Sequence, residues 1–391
     1  MSSEEFSFSD HSHRRFNPLT RTWVLCSPHR AKRPWLGQVE EATVEQRPRY
    51  DPHCYLCPGN TRATGAQNEQ YATTYVFTND YAAVHPDQPA CSPESLAQIV
   101  GTNRAGTADL FQVESTSGQC KVVCFSPRHD LTLPELPVDG ICGIIRAWQD
   151  VYAELSSSSS SLGIEYVQIF ENKGAMMGCS NPHPHGQVWA LSEVPTEPAS
   201  EIASLKAFAQ THAQPDQSQP PCLLCAYVEA EIANAAASTS SSSDSANRIV
   251  VQNDSFVALV PFWAVWPFET MVVAKPHLAD ITRLSPKQTL DLAAVLKELT
   301  CRYDNIFKCS FPYSMGLHQS PTTTHPDSEY CHFHMHFYPP LLRSATVRKF
   351  LVGFEMMAEP QRDLTAEQAA SRLRAQSPVH YKQTAAPEDQ K

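Results

Sequence analysis

No apolar run long enough to cross a bilayer or to act as a secretion signal occurs in this sequence, whose first residues are polar and acidic. That excludes a membrane-spanning protein and makes the cytoplasm the expected compartment. An excess of basic charge is also missing. The net charge of −11 excludes a protein that coats nucleic acid, which needs Lys and Arg to neutralise phosphates. What is abundant is cysteine. Thirteen is a high and odd count, and without a leader it reads as reduced thiols and metal ligands rather than disulfides. At 42% hydrophobic and 18% charged, a chain of 391 residues is globular and too long for one small core. Two domains or two fused halves are expected.

One local exception to the acidic balance runs from Arg14 to Arg33. It holds six basic residues (Arg14, Arg15, Arg21, Arg30, Lys32, Arg33) and no acidic one. The stretch reads either as an ordinary solvated surface or as a clamp for one small anion such as a phosphorylated metabolite.

Four landmarks recur in order. The first set is Cys54-x-x-Cys57, Val76-Phe77-Thr78-Asn79-Asp80, Pro127-Arg128-His129 before Leu131-Thr132-Leu133-Pro134 and a helix, then His183-x-His185. The second is Cys222-x-x-Cys225, Val250-Val251-Gln252-Asn253-Asp254, Pro276-His277 before Leu284-Ser285-Pro286 and a helix, then His334-x-His336. The spacing drifts, as in an old duplication or a shared architecture and not a tandem array. Each half reads as strands with one long helix, so the expected fold class is α+β, with antiparallel sheet and packed helices. Boundaries follow: a disordered N-terminus over 1–13, halves over 14–195 and 196–376, and a flexible tail over 377–391. Ser285 with Pro286 predicts a helix start, and Thr365 closing on Gln368 predicts a capping box. The serine tracts at 156–161 and 238–243, the latter interrupted by Thr239, read as flexible surface insertions.

The segment Asn181-Pro182-His183-Pro184-His185-Gly186-Gln187 carries the chemistry. On a strand, residues 183, 185 and 187 share a face, so two imidazoles and an amide project together. Gly178 and Gly186 leave room for a ligand, and Gly178-Cys179-Ser180-Asn181 offers backbone N–H groups to phosphate oxygens. Farther on, His332, His334 and His336 alternate as a metal site would.

With these motifs the chain resembles the galactose-1-phosphate uridylyltransferase family, a branch of the histidine-triad superfamily. The resemblance runs from about Arg14 to Arg374. It rests on Asn17-Pro18-Leu19-Thr20, Ser27-Pro28-His29-Arg30-Ala31-Lys32-Arg33-Pro34-Trp35, Phe170-Glu171-Asn172-Lys173-Gly174 and Trp266-Pro267-Phe268-Glu269-Thr270, besides the histidine segment. It continues through Phe311-Pro312-Tyr313-Ser314-Met315-Gly316 and His336-Phe337-Tyr338-Pro339-Pro340-Leu341-Leu342-Arg343.

The resemblance implies two fused histidine-triad-like halves and a nucleotidyltransferase of galactose metabolism. His185 is then the nucleophile that takes UMP from UDP-glucose and passes it to galactose 1-phosphate, giving UDP-galactose. A neutral imidazole suits that role, because near pH 7 it attacks phosphorus without a separate base. Gln187 stands where hydrolytic relatives carry a third histidine. An amide can hold a phosphoryl oxygen but cannot deliver a proton, so Gln187 should favour a long-lived uridylyl intermediate over hydrolysis.

The same resemblance implies a zinc set of Cys54, Cys57, His129 and His183, against the alternative of buried thiols without metal. It implies a second set for iron or zinc, Glu201, His318, His334 and His336. Cys222 and Cys225 stay unassigned, with no evident histidine partners. Arg30, Lys32 and Arg33 match the nucleotide-phosphate segment, while Asn79 and Asp80 match residues near the ribose. Asn172, Gly178, Cys179, Ser180 and Gln187 surround the phosphates, Ser180 and Gln187 also counting with His185 as catalytic. Lys349, Phe350, Val352, Phe354, Glu355 and Gln361 match the hexose-phosphate segment, with Phe354 where many relatives carry tyrosine. In related dimers this segment reaches the neighbouring subunit, so a homodimer with shared sites is expected. Two other readings remain at this point: a dinucleotide phosphorylase or adenylyltransferase of the same superfamily, and a zinc-stabilised module that binds nucleotide sugars without catalysis.

Overall fold

The computed structural model describes residues 6–32, 47–100, 110–157, 162–215, 219–238 and 246–384. The chain opens with β1 (His13–Asn17) and β2 (Thr22–Cys26), followed by β3 (Tyr75–Thr78), α1 (Pro93–Val100) and β4 (Gly118–Cys124). Then come α2 (Val138–Leu155), β5 (Tyr166–Lys173) and β6 (His185–Leu191), with α3 (Thr196–His212) and α4 (Leu223–Ala237) after them. The second half continues with β7 (Ile249–Gln252), β8 (Phe256–Leu259), β9 (Thr270–Ala274), α5 (Pro286–Phe307), β10 (Tyr313–His318) and β11 (His334–Tyr338). The short α6 (Phe354–Met357), β12 (Gln361–Arg362), α7 (Ala366–Arg374) and α8 (Tyr381–Thr384) close it.

Nine strands form one antiparallel sheet in the order β3-β4-β6-β5-β10-β11-β9-β8-β7. The order reads almost the same from both edges toward the β5–β10 seam, where Ser314 sits opposite Asn172 and Gly316 opposite Phe170. Under this correspondence β4, β5 and β6 of the first half match β9, β10 and β11 of the second. The α+β class expected from the sequence is what the molecule shows.

One face of the sheet carries α2 and α5. α2 buries Ile141, Ile144, Ile145, Trp148, Val151, Tyr152 and Leu155, a helical stripe. The start of α5 is fixed by Ser285, which accepts from Gln288 N–H, with Pro286 in the first turn. Both helices join one apolar core with Val167, Ile169, Val188, Met315, Leu317, Met335 and Phe337 of the strands. The opposite face is covered at each end: α3 and α4 pack on β8 and β9, and the Cys54–Tyr71 segment packs on β4. Its middle stays polar.

A small sheet, β1-β2-β12, ties the two chain ends together through a parallel pairing of Leu25 with Gln361. Arg15 is 2% exposed and grips Glu367 of α7 with two hydrogen bonds, of 2.9 and 3.0 Å. Arg14 pairs with Glu359 at 2.6 Å. The anion-clamp reading therefore fails for Arg15, whose guanidinium is already bidentate on the Glu367 carboxylate, whereas Arg14 keeps half of its side chain exposed beside Glu359.

The tail also departs from expectation. Residues 377–384 are mostly exposed but tethered: Asn305 Nδ2 donates to Ser377 O and Val379 O, and buried His380 meets Asp304 at 3.1 Å. Buried polar groups that find partners hold a terminal segment as firmly as apolar ones do. At the other end, His13 already belongs to β1. The serine tracts lie largely outside the described residues, as does Arg33; of the first tract, Ser156 is buried where it caps α2. The capping box at Thr365 forms as the sequence predicts.

Candidate active site and metal centres

The polar middle of the sheet is set by strand alternation. On β6 the residues His185, Gln187 and Trp189 face away from the helices, while Gly186, Val188 and Ala190 are buried against them. Gln187 is registered with Phe170 of β5, and Asn172 of β5 with Ser314 of β10. All of these therefore look out on the same side.

His185 lines a cleft of about 250 Å³ with Arg47, Asn172, Gly174, Cys179 and Ser180. A smaller recess of about 40 Å³ beside it is bordered by Gly178, Ser180, His185 and Gln187. His185 Nδ1 lies 2.7 Å from His183 O. A carbonyl can only accept, so the ring proton sits on Nδ1 and Nε2 keeps its lone pair. Burial lowers the pKa of His185, opposed by that backbone bond. The ring is thus neutral near pH 7.

Neighbouring amides are oriented in the same way. Trp189 Nε1–H donates to Gln187 Oε1 at 3.3 Å, so the Gln187 amino group is the part left for a ligand. Ser314 Oγ donates to Asn172 Oδ1 at 2.7 Å, with the same consequence for Asn172. Gly178, at φ 79, closes a short turn, and its N–H bonds Ala175 O while Cys179 N–H bonds Gly174 O. Those two N–H groups serve the turn, not a phosphate. Gly186 likewise makes room for the fold: a Cβ there would lie 3.0 Å from both Phe125 Cζ and Phe170 O.

His183 is not on the strand with His185, because β6 begins at 185. Its ring turns instead to the first metal group, Cys54, Cys57, His129 and His183, all buried. Cys57 Sγ is 3.6 Å from His129 Nδ1 and 3.5 Å from His183 Nδ1. Tetrahedral zinc with Zn–S of about 2.3 Å and Zn–N of about 2.1 Å puts S and N about 3.6 Å apart. His183 Nε2–H donates to Ser126 O at 2.9 Å, which leaves Nδ1 as the free donor pair toward the thiols. The set fits a zinc-like ion.

Glu201, His318, His334 and His336 also converge, with their donor atoms within 4.8 Å of one another. Glu201 arrives from α3 and is 5% exposed. His318 faces His334 directly across β10–β11. His334 Nε2 and both ring nitrogens of His336 are buried without a hydrogen-bond partner among the described residues. Lone pairs gathered in that way around a carboxylate suit a divalent cation.

Other expected site residues lie elsewhere. Asp80 meets Arg62 at 3.3 Å and Thr64 at 3.2 Å, and Asn79 accepts from Tyr81 N–H; neither lines the cleft. Arg30 stands 3.6 Å from Asp363, beside Gln361 in the small sheet. The side chain of Lys32 falls outside the described residues. Lys349 is paired with Glu355 and donates to Gln361 O, and Phe350, Val352 and Phe354 are more than half exposed. None of them borders the His185 cleft within one chain.

Comparison with known proteins decides the identity. Residues 4–195 match the family described as galactose-1-phosphate uridyl transferase, N-terminal domain, and residues 217–385 match its C-terminal domain. The chain belongs to the galactose-1-phosphate uridylyltransferase family. It is 50% identical to the galactose-1-phosphate uridylyltransferase of Schizosaccharomyces pombe over 386 residues, covering 98% of this chain and 99% of that one. The Haemophilus influenzae galactose-1-phosphate uridylyltransferase is 50% identical over 378 residues, covering 97% of this chain and 98% of its own. A uridylyltransferase of known structure superposes with a TM-score of 0.66 at 25% identity, over 93% of this chain and 98% of that one.

Sequence reasoning passes over Arg47, which lines the cleft and donates to Pro182 O. It names His277 only as a landmark and sets His332 with His334 and His336, whereas both gather with Cys222 and Cys225. The signal was present in the repeat. Pro276-His277 follows β9 as Pro127-Arg128-His129 follows β4, but the last landmark is offset by two residues. His183-x-His185 corresponds to His332-x-His334, not to His334-x-His336.

Proposed function

We propose that this protein is a UDP-glucose–hexose-1-phosphate uridylyltransferase, exchanging UMP between UDP-glucose and galactose 1-phosphate through a covalent uridylyl-His185. His185 Nε2 attacks the α-phosphorus of UDP-glucose; the bond from that phosphorus to the bridging oxygen breaks, and glucose 1-phosphate leaves with the electron pair. The ring becomes a phosphoryl-imidazolium whose Nδ1–H stays on His183 O. A phosphate oxygen of galactose 1-phosphate then attacks the same phosphorus. The N–P bond breaks, its electrons return to Nε2, and UDP-galactose departs. The leaving monoesters are weak bases, so no strong acid is needed.

The observation that carries this reading is the 2.7 Å bond from His185 Nδ1–H to His183 O at the edge of the cleft. It fixes the tautomer that attack requires. The amino groups of Gln187 and Asn172 and the hydroxyl of Ser180 hold non-bridging oxygens, the charge-stabilising part of phosphoryl transfer. Arg30, Lys32 and Arg33 serve the nucleotide phosphates, and Asn79 with Asp80 the ribose.

Zinc belongs in the group Cys54, Cys57, His129 and His183. A closed set of four protein ligands has no position for substrate, so its contribution is to anchor His183 and hence the carbonyl that orients His185. Iron or zinc belongs in the group Glu201, His318, His334 and His336. The segment from Lys349 to Gln361 serves the site of a second copy in a homodimer. Its exposed Phe350, Val352 and Phe354 support a role against another chain. The unpaired cysteines fit a reducing, cytoplasmic setting; no described helix is long and apolar enough to cross a membrane.

Isotope exchange tests the double displacement. Labelled glucose 1-phosphate should enter UDP-glucose with galactose 1-phosphate absent. No exchange by enzyme that is active in the full reaction would mean direct transfer instead.

A further inference from the structure

Cys222, Cys225, His277 and His332 have no part in the uridylyl chemistry, yet their ligand atoms lie within 4.8 Å of one another. They come from three separate places: the N-terminus of α4, the turn after β9, and the approach to β11. Cys222 Sγ is 3.2 Å from His332 Nδ1, and Cys225 Sγ is 3.5 Å from His332 Nδ1 and 3.9 Å from His277 Nδ1. These values bracket the S–N edge of about 3.6 Å in a tetrahedral Cys2His2 zinc site.

The surroundings fix the imidazoles as ligands. His332 Nε2–H donates to Ala274 O at 2.8 Å and His277 Nε2–H to Glu329 O at 3.1 Å. Both carbonyls can only accept, so each ring presents an unprotonated Nδ1 to the thiols. Cys222 occupies the N-cap of α4 and Cys225 its first turn, where the helix favours thiolate.

The repeat supplies an independent argument. The Cys54 group uses the same ligand types in the same chain order, Cys-x-x-Cys, His, His. It holds His183 by an Nε2 bond to Ser126 O, just after β4, as His332 is held by Ala274 O at the end of the matching β9. In each half the last ligand stands two residues before the first strand histidine, His185 or His334.

We infer that Cys222, Cys225, His277 and His332 form a second structural Cys2His2 site, taking a zinc-class divalent ion in the C-terminal half. It ties α4 to the entry of β11, so it positions His334 for the Glu201 group as the Cys54 group positions His185. This assignment stands apart from the uridylyl reading, since it concerns no substrate.

Cadmium-113 exchange into the wild-type protein, read by NMR, tests it without substitution. Two resonances are expected in the region of two-sulfur, two-nitrogen coordination; a single one overturns the assignment. Zinc per chain is then measured for His277→Ala and for Cys222→Ser with Cys225→Ser. Each should lose one equivalent relative to wild type, and thiolate-to-cobalt absorption of the cobalt form should fall by roughly half in the double variant. Unchanged zinc in both variants, or recovery of Cys222 and Cys225 as a disulfide from the native protein, would overturn it.

Discussion

His185 and His334 occupy equivalent positions in the two halves but face different surroundings. Each begins its strand, and each bonds through Nδ1 to the carbonyl two residues earlier at 2.7 Å, His183 O or His332 O. The difference lies in what faces Nε2. His185 borders an open cleft, whereas His334 Nε2 is buried 3.4 Å from Glu201. Two positions on, Gln187 in the first half is answered by His336 in the second.

Removing the Gln187 amide takes away one donor to the phosphoryl oxygens. Gln187→Ala should lower kcat about 100-fold with the protein still folded, in line with the loss of one charge-stabilising donor. Gln187→His should shorten the life of the uridylyl intermediate by supplying an acid to the same place. Rapid-quench kinetics of the half-reaction would read both, and an unaltered intermediate lifetime in Gln187→His would count against the assigned role.

Gly186, which also borders the small recess beside His185, is a packing requirement. The Cβ of Gly186→Ala meets Phe125 Cζ and Phe170 O at 3.0 Å, and the second of these is backbone. Overpacking of this kind costs about 1–3 kcal/mol and moves β6 against β5. A lowered denaturation midpoint together with a reduced kcat is expected; a stable variant with full activity would refute the contact.

Cys57 touches both histidines of the first metal group. Cys57→Ser should release one metal equivalent and lower the thermal midpoint, because structural zinc binding is itself folding energy. Metal analysis and calorimetry are the readouts. Loss of uridylylation should follow from misplacement of the His183 carbonyl.

Buried Arg15 and Glu367 join the first strand to α7. Burial pushes the Glu367 pKa up, but the Arg15 hydrogen bonds and the charges of Arg15 and Arg248 hold it down at about 2, against an ordinary 4.5. A depressed carboxylate pKa stabilises the fold above the unfolded value and loses that contribution as pH falls. The effect is about 3 kcal/mol, full above about pH 4.5 and gone near pH 2. Denaturation midpoints across that range should fall in wild type, and much less in Glu367→Gln.

Much of this was legible in the sequence, and the exceptions have physical causes. Ser285 with Pro286 and Thr365 with Gln368 announced their helices, because capping chemistry is local. The alternation of His185 and Gln187 announced the strand face for the same reason, but His183, expected on it, falls before β6. Arg15 could not be read, since its partner Glu367 is 352 residues away and no periodicity links them. His277 and His332 were hidden by the run of alternating histidines at 332, 334 and 336, which permits two registers against His183 and His185. Only the strand pairing and the matched carbonyl bonds choose between them.

The central claim is that His185 carries UMP between two sugar phosphates. Enzyme mixed with UDP-glucose alone and examined by intact mass should show an acid-labile UMP adduct, lost on adding galactose 1-phosphate and absent in His185→Gly. Active enzyme with no adduct, or an adduct that persists in His185→Gly, would contradict the account.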